Sequence, residues 1–273
     1  MTGPSPVRDP TMHDERQRRY LQAMGIPLWV PRRPLPGVAA AATPAQPVTA
    51  PVPSPPAHAP EPVVPVAPRQ VEAPAEGAAP ATAIGQLDWA ELRTQVAACT
   101  RCAELAASRT QTVFGVGNPD ADWLVIGEAP GAEEDRQGEP FVGRAGKLLD
   151  AMLAAIALDR QQAYIANVLK CRPPDNRDPR PAEAANCRPW LERQIALIQP
   201  GLILVVGRIA AQNLLDTDAP LSRLRGQVHR LPGSGIPVIV TYHPAYLLRT
   251  PKDKRKAWDD LKLACRVMAG EVG

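Results

Sequence analysis

The chain has 273 residues, 33 of them proline, and a formal net charge of +3. That charge is unevenly spread: residues 86–169 carry 7 basic and 12 acidic residues, whereas residues 170–273 carry 17 basic and 10 acidic residues. The basic C-terminal part suits a polyanionic partner. No apolar run approaches the roughly 18 residues that span a membrane. The N-terminus has no export signal, so we expect a cytoplasmic protein with no membrane contact.

The N-terminal part of the chain is predicted to be a disordered extension. Residues 31–80 include 15 prolines and no aromatic residue, so they cannot bury enough apolar surface to offset the entropy lost on ordering. We assign residues 35–85 to a linker and residues 86–273 to the folded domain. Residues 1–34 form a short peptide motif in which Leu21, Met24 and Trp29 could anchor a partner.

The folded domain alternates short apolar runs with helical patterns. The runs are residues 123–127, 164–168, 202–206 and 237–242. Apolar residues at helical spacing occur in residues 148–156, in the segment that follows Pro189, and in residues 210–215 and 257–268. This alternation predicts a three-layer α/β/α fold whose central sheet has four mostly parallel strands. Ligands of such sheets bind beyond the strand C-termini, which directs attention to the residues after each run.

Four of the five cysteines have the arrangement of a metal site. Cys99 and Cys102 form a C-x2-C pair, Cys171 follows the second predicted strand, and Cys187 lies further on, near Pro189. Four thiolates suit either zinc or an iron–sulfur cluster, and the spacing does not choose between them. Cys265 falls on the apolar stripe of the last predicted helix, so we predict that it is a core residue.

The most specific stretch is residues 127–150, G-E-A-P-G-A-E-E-D-R-Q-G-E-P-F-V-G-R-A-G-K-L-L-D. It begins with a Gly/Pro turn after the first predicted strand. Its carboxylates at Glu128, Glu133 and Glu134 could orient water or stabilise a cation. Phe141 lies in a glycine-flanked loop and could offer a flat face for stacking.

This stretch, with Asn167 in Y-I-A-N-V-L-K-C-R-P-P and His243 in H-P-A-Y-L-L-R, resembles the family 4 uracil-DNA glycosylases, which are iron–sulfur enzymes. The resemblance runs from about residue 99 to residue 268. It implies a hydrolase that flips deoxyuridine out of DNA, cleaves its N-glycosidic bond and leaves an abasic site for base excision repair. It also implies that one [4Fe–4S] cluster is bound by Cys99, Cys102, Cys171 and Cys187.

The resemblance further implies how the base is recognised. Phe141 would stack on the flipped uracil, and the Asn167 amide would read its polar edge. The backbone around Gly131, or Glu134, would form the wall that excludes the methyl group of thymine. His243 would hydrogen-bond the uracil O2 as negative charge develops there.

The same resemblance implies the groups that act on the sugar and the strand. Glu128 or Glu134 would activate water or stabilise the sugar cation. Ala129 stands where much of the family has glycine and where another branch of the superfamily has its catalytic aspartate. Because this chain has no carboxylate at that position, the choice between Glu128 and Glu134 stays open. Leu247 and Arg249 belong to the loop that wedges an apolar side chain into the emptied base stack.

Residues 15–34 resemble the N-terminal peptide of the psi subunit of the bacterial clamp loader. This implies that residues 15–34 dock onto clamp-loader subunits while the folded domain acts on uracil-containing DNA. We expect the enzyme to be a monomer. An alternative function is a non-catalytic, glycosylase-like adaptor that binds DNA and the clamp loader. A flavodoxin-like electron-transfer protein would fit the cysteines but not Asn167 or the loop of His243.

Overall fold

The structure, a computed structural model, describes residues 81–272. Residues 1–80, which make up most of the predicted extension, therefore lie outside the described residues. Within the described part the chain forms one sheet of six strands in the order β1-β3-β2-β4-β6-β5. The strands are β1 (Val116–Gly117), β2 (Trp123–Gly127), β3 (Ala163–Asn167), β4 (Leu202–Val206), β5 (Val228–Arg230) and β6 (Pro237–Thr241).

The four central strands confirm the prediction that the four apolar runs form strands. β3, β2, β4 and β6 lie side by side and run parallel. The prediction of a four-stranded sheet was wrong in its count, because β1 and β5 add antiparallel strands at the two edges. These strands have two and three residues, too few to produce an apolar run. The fold is therefore α/β with a mixed, mostly parallel sheet.

Helices cover both faces of the sheet. They are α1 (Ala81–Ile84), α2 (Trp89–Ala97), α3 (Ala103–Ser108), α4 (Ala132–Gln137), α5 (Arg144–Ala155), α6 (Pro181–Ile198), α7 (Arg208–Leu214), α8 (Leu221–Leu224), α9 (Pro244–Arg249) and α10 (Lys254–Met268). α5, α9 and α10 pack with Val125 on one face. α6, α7 and α8 pack with Leu124 and Ile126 on the other. Successive strand side chains thus serve opposite layers, as the pleat requires.

A third hydrophobic cluster lies beside the sheet and joins α1, α2 and α3 to α6. We call it the cysteine-side cluster; its buried members are Ile84, Leu92, Val96, Leu105, Phe114, Leu169, Cys171, Cys187 and Trp190. Ile84 is only 1% exposed, so packing in the described chain already includes a residue before the predicted boundary at 86. Within residues 81–272, no helix combines the length and the hydropathy needed to cross a membrane.

Helix α6 begins earlier than the sequence suggested. Pro189 was expected to break the chain before the helix, but it lies inside α6. The helix instead begins at Pro181, where a missing N–H costs nothing because the first helical N–H groups have no partner in the helix. The Glu183 carboxylate accepts a hydrogen bond from the Arg180 N–H at 2.8 Å and closes this first turn. Cys187 is therefore held within a continuous helix.

Candidate active site

Asn167, Phe141 and His243 meet at the C-terminal edge of the central strands. Gly127 ends β2, and Asn167 ends β3 directly beside it. A Cβ placed on Gly127 would lie 2.4 Å from Asn167 Oδ1 and 2.5 Å from Phe141 Cζ. The missing side chain at residue 127 therefore lets the amide and the aromatic ring approach each other. The Phe141 ring centroid lies 5.6 Å from that of the His243 imidazole, with the rings tilted by 31°.

The Asn167 amide is buried and open on its acceptor side. The residue is 2% exposed, and its Oδ1 atom has no hydrogen-bond partner within residues 81–272. Leaving a buried acceptor unpaired costs about 1–3 kcal/mol. Such a cost is explained when the atom serves a ligand, so the geometry calls for a bound molecule with an N–H or O–H donor at this point.

The His243 ring is oriented by its own helix. His243 caps the N-terminus of α9, and its Nδ1 atom accepts a hydrogen bond from the Ala245 N–H at 3.1 Å. The pKa of His243 is lowered to about 4, mainly by burial and also by the charge of Arg249, while Glu134 opposes the shift. The imidazole is thus neutral near pH 7, with its proton on Nε2 as a hydrogen-bond donor. Gly207 has φ +104°, and a Cβ there would come within 3.2 Å of His243 Cβ.

Glu134 holds the loop that presents Phe141. Its Oε1 atom accepts hydrogen bonds from the backbone N–H groups of Val142 at 3.1 Å and Gly143 at 3.3 Å. Phe141 itself has φ 56°, in the left-handed region that non-glycine residues rarely adopt. A Cβ on Gly131 would lie 2.7 Å from Glu134 Oε2. Gly131 therefore makes room for the carboxylate that fastens the Phe141 loop.

Glu128 follows β2 at the same edge of the sheet. The pKa of Glu128 is raised to about 7, mainly by burial and also by the charge of Asp178, while Arg208 opposes the shift. Arg208 also forms an ion pair with Asp178 at 3.6 Å. A carboxyl group with a pKa near neutrality suits proton transfer or the stabilisation of a cation. Ala129, next along the chain, packs against the cysteine-side cluster.

Residues 246–249, expected to lie in a loop, belong to helix α9. Their side chains differ in exposure. Leu247 is 0% exposed and packs in the core with α5 and α10. The predicted role of Leu247 in the base stack does not fit this structure, because its side chain is already used to attach α9 to the domain. Leu248 is half-buried and Arg249 is exposed. Within α9, Arg249 is thus the most exposed side chain.

The four predicted ligand cysteines line one small cavity between α2, α3, α6 and the segment after β3. Cys171 and Cys187 are buried, while Cys99 and Cys102 are half-buried. Cys265 is half-buried and lines a separate surface cleft with Trp258 on α10. The prediction that Cys265 is a core residue was therefore wrong, although its separation from the other four agrees with the sequence reasoning.

Hydrogen-bond donors surround the cysteine sulfurs. Arg109 Nη1 donates to Cys171 Sγ at 2.9 Å, the Lys170 N–H donates to Cys187 Sγ at 3.2 Å, and Asn186 Nδ2 reaches Cys102 Sγ at 3.7 Å. Such donors stabilise thiolates that bind metal. Burial raises the pKa of the Cys187 thiol to about 12. Within residues 81–272, no three His, Cys, Asp or Glu side chains lie close enough to hold a single metal ion.

Two arginines, Arg177 and Arg180, are bound to carboxylates near this cavity. Arg177 forms an ion pair with Glu183 at 2.6 Å and a longer one with Glu104 at 3.4 Å. Arg180 pairs with Glu104 as well. Since Glu104 lies on α3 and Glu183 on α6, these pairs fasten the segment after β3 to the helices that carry Cys102 and Cys187.

Comparisons with known proteins agree with this geometry. A family model described as the uracil DNA glycosylase superfamily matches residues 114–262. A type-4 uracil-DNA glycosylase of Archaeoglobus fulgidus is 46% identical over 174 residues, covering 62% of this chain and 87% of the relative. The chain belongs to the type-4 uracil-DNA glycosylase family. The type-4 enzyme of Thermotoga maritima is 42% identical over 173 residues, covering 62% of this chain and 89% of the relative.

A more distant branch shows less similarity to this glycosylase. A type-5 uracil-DNA glycosylase of Pyrobaculum aerophilum is 26% identical over 180 residues, covering 55% of this chain and 79% of the relative. The type-4 membership confirms the resemblance read from the sequence. The protein is a glycosidic-bond hydrolase of DNA repair, and its substrate is uracil-containing DNA. The family match begins at residue 114 and does not test the psi-like resemblance of residues 15–34.

Sequence reasoning missed one buried residue of the glycosylase that touches both sites. Lys170 is 1% exposed, and its Nζ atom donates to the Asn167 carbonyl oxygen at 2.9 Å and to Gln194 Oε1 at 2.6 Å. Burial lowers the pKa of Lys170 to about 8. The available signal was a lysine between apolar residues and Cys171, directly after a buried strand.

Proposed function

We propose that the glycosylase binds the flipped uracil between Phe141, Asn167 and His243. The observation that carries this proposal is the buried, unpartnered Oδ1 atom of Asn167 beside the Phe141 ring. Uracil N3–H would donate to this oxygen, and uracil O4 would accept from the Asn167 amide nitrogen. The flat face of the base would stack on Phe141. Gly131 and Ala129 would border the base from the turn after β2.

His243 supplies the donor that cleavage requires. As the bond between the sugar and uracil breaks, negative charge grows on the departing base. The neutral imidazole donates its Nε2 proton in a hydrogen bond to uracil O2, and the Nδ1 bond to the Ala245 N–H supports this orientation. A donor held in place before the reaction stabilises developing charge without reorganisation.

The two carboxylates divide the remaining work. Glu128, whose pKa lies near 7, faces the sugar and stabilises its cationic transition state or orients the attacking water. Glu134 positions the Phe141 loop rather than the water. Its hydrogen bonds from Val142 and Gly143 support this division, because they already occupy one carboxylate oxygen. Arg249 contacts the DNA strand next to the flipped nucleotide.

The test of the base site replaces Asn167 with leucine, which keeps the branched shape of the side chain and removes both polar atoms. We expect the single-turnover rate on a uracil-containing oligonucleotide to fall by at least about 100-fold, since one lost preorganised group has this effect at comparable sites. Asn213→Leu is the matched control, because that amide bonds only within α7, to the Ile209 carbonyl oxygen. A rate near that of the wild type in Asn167→Leu contradicts the proposal.

We also propose that Cys99, Cys102, Cys171 and Cys187 hold one [4Fe–4S] cluster. Their shared cavity and the donors to their sulfurs support it, and so does membership of the type-4 family. When bound, the cluster would supply the positive charge that keeps the four buried thiolates deprotonated. Its role is structural: the ligands join the α2–α3 segment, the segment after β3 and helix α6.

Iron analysis of anaerobically purified protein tests the cluster. We expect about four iron atoms per chain, a large loss of iron in Cys187→Ala and full iron content in Cys265→Ala. Stoichiometric zinc without iron contradicts the proposal. Equal iron loss in the two variants contradicts the assignment of ligands.

For the N-terminal part we propose that residues 15–34 dock onto clamp-loader subunits and that residues 35–85 act as a spacer for a monomeric enzyme in the cytoplasm. The support is the psi-like sequence with its Leu21, Met24 and Trp29 anchors. A flexible spacer would raise the local concentration of the enzyme at its partner. Deleting residues 1–35 should leave activity on short oligonucleotides intact and abolish co-purification with clamp-loader subunits. Wild-type protein that never binds these subunits contradicts the proposal.

A further inference from the structure

Lys170 is one of the most deeply buried side chains of the described chain, with 1% of its surface exposed. Burying an ammonium group costs more free energy than burying an apolar chain of similar size. Packing alone therefore does not explain a lysine at this position. Its Nζ atom instead makes two hydrogen bonds, to the Asn167 carbonyl oxygen at 2.9 Å and to Gln194 Oε1 at 2.6 Å.

The first of these bonds acts on the backbone that carries the base-reading amide. Asn167 is the last residue of β3, and the lysine side chain folds back three positions to bond its carbonyl. The following N–H groups, of Val168 and Leu169, donate to the carbonyls of Gly127 at 2.9 Å and Glu128 at 3.0 Å. The peptide units after Asn167 are thus held by a side chain on one side and by the turn after β2 on the other.

The second bond attaches the lysine to groups on the cysteine side of the fold. Gln194 lies on α6, and its Nε2 atom donates to the Phe114 carbonyl oxygen at 3.0 Å. The backbone of Lys170 is fixed too: its N–H donates to Cys187 Sγ at 3.2 Å, and its carbonyl accepts from the Val113 N–H at 2.7 Å. Through Gln194, the ammonium is therefore also anchored to α6, a helix that carries none of the base-site residues.

We propose that Lys170 is a positioning residue for uracil recognition, whose ammonium group fixes the Asn167 backbone so that the amide is aimed at the base before it arrives. This inference rests on the proposed role of Asn167. Lys170 touches neither DNA nor uracil, so its loss should weaken the binding of the base and leave contacts with the DNA strand intact. Preorganised groups lose affinity when their support loosens, even where every contacting atom remains.

The main experiment is Lys170→Met in the full chain, with three measurements. We expect inhibition by free uracil to weaken about tenfold, as the loss of a charged hydrogen bond to a key backbone group suggests. Affinity for DNA with an abasic site, which lacks the base, should stay within about twofold of wild type. Iron content should be unchanged. Unchanged inhibition by uracil overturns the inference, and so does an equal loss of affinity for uracil and for abasic DNA.

Lys170 could instead serve the cysteine site, which its backbone also touches. In that case Lys170→Met would lose iron while free uracil still inhibited normally, and the inference would be wrong. Asn167→Leu, measured alongside, separates this failure from a failure of the base site itself. Uracil inhibition that survives Asn167→Leu refutes the role of Asn167; inhibition lost there but kept in Lys170→Met refutes only the role of the lysine.

If Lys170→Met fails to fold, two variants of Gln194 test the role of the lysine instead. Gln194→Glu and Gln194→Met both remove the Nε2 donor, but only the glutamate offers a carboxylate that draws the ammonium away from Asn167. We expect free uracil to inhibit Gln194→Glu several-fold less strongly than Gln194→Met, because the bond to the Asn167 carbonyl then competes with an ion pair. Equal inhibition of the two variants overturns the inference.

Discussion

The base site and the cysteine site of this glycosylase lie on either side of the segment that follows β3, and they treat their polar atoms in opposite ways. At the base site, Asn167 Oδ1 has no partner within residues 81–272. At the cysteine site, Arg109 and the Lys170 N–H already bond to sulfurs. The open acceptor suits the proposed binding and release of a base, whereas the bonded sulfurs suit the proposed permanent group.

The largest effect is expected at the base site from His243→Ala. The single-turnover rate should fall by at least about 100-fold, because the developing charge on uracil O2 loses its prearranged donor. Iron content should remain that of the wild type, since His243 does not border the cysteine cavity. Simultaneous loss of rate and iron would show that the two sites are not separate.

Helix α9 borders the base site, and two neighbouring leucines on it should behave differently. Leu247→Ala should lower the free energy of unfolding by about 2–5 kcal/mol, since it empties a fully buried position. Leu248→Ala should cost less than about 1 kcal/mol and instead weaken binding to uracil-containing DNA. Denaturant unfolding and DNA titration of both variants measure this; equal stability of the two would contradict the assignment of Leu247 to the core.

The pH dependence of cleavage should report Glu128 and not His243. Because the pKa of Glu128 is raised to about 7, its active carboxylate is lost as the pH falls through 7. The single-turnover rate should then drop about tenfold per pH unit below that value and level off above it. His243, with a pKa lowered to about 4, stays neutral over this range. Glu128→Gln should give a slow enzyme with a flat profile; a sloping profile in that variant would refute the assignment.

The smallest effect is expected from a supporting group of the cysteine site. Arg109→Met removes the donor to Cys171 Sγ and also the bond from Arg109 to the Cys99 carbonyl oxygen. Loss of iron to a chelator should become about tenfold faster, the lower end of what outer partners of metal ligands contribute. The cleavage rate of freshly purified enzyme should change little. An unchanged rate of iron loss would mean that Arg109 does not support the cluster and contributes only to the stability of the fold.

The sequence was most informative where burial is continuous along the chain. The four central strands are buried on both faces, so each appears as an uninterrupted apolar run. The edge strands were missed because a strand of two residues such as Val116–Gly117 is defined by its partner and has no pattern of its own. Pro189 was misleading for a related reason: a proline usually ends a helix, and only packing shows that α6 continues through it.

At the candidate site, the sequence motifs selected residues that the structure brings together, but not all of their contacts. Asn167, Phe141 and His243 were found by motif, and the structure places them together. The hydrogen bonds of Glu134 to the Phe141 loop depend on how a short helix folds back, which spacing does not reveal. Leu247 and Lys170 were misjudged or missed because burial is a property of the assembled domain. A lysine in a sequence is normally expected at the surface.

The short edge strands of the sheet have a consequence for association between copies of the protein. An exposed edge strand presents free N–H and C=O groups to which a strand of another molecule can add, and long edges of this kind promote aggregation. Here β1 has two residues and ends at Gly117 with φ +117°, while β5 has three residues and carries Arg230. Neither edge gives an incoming strand more than a few bonds. The two edges therefore give copies of this enzyme few backbone groups through which their sheets could join.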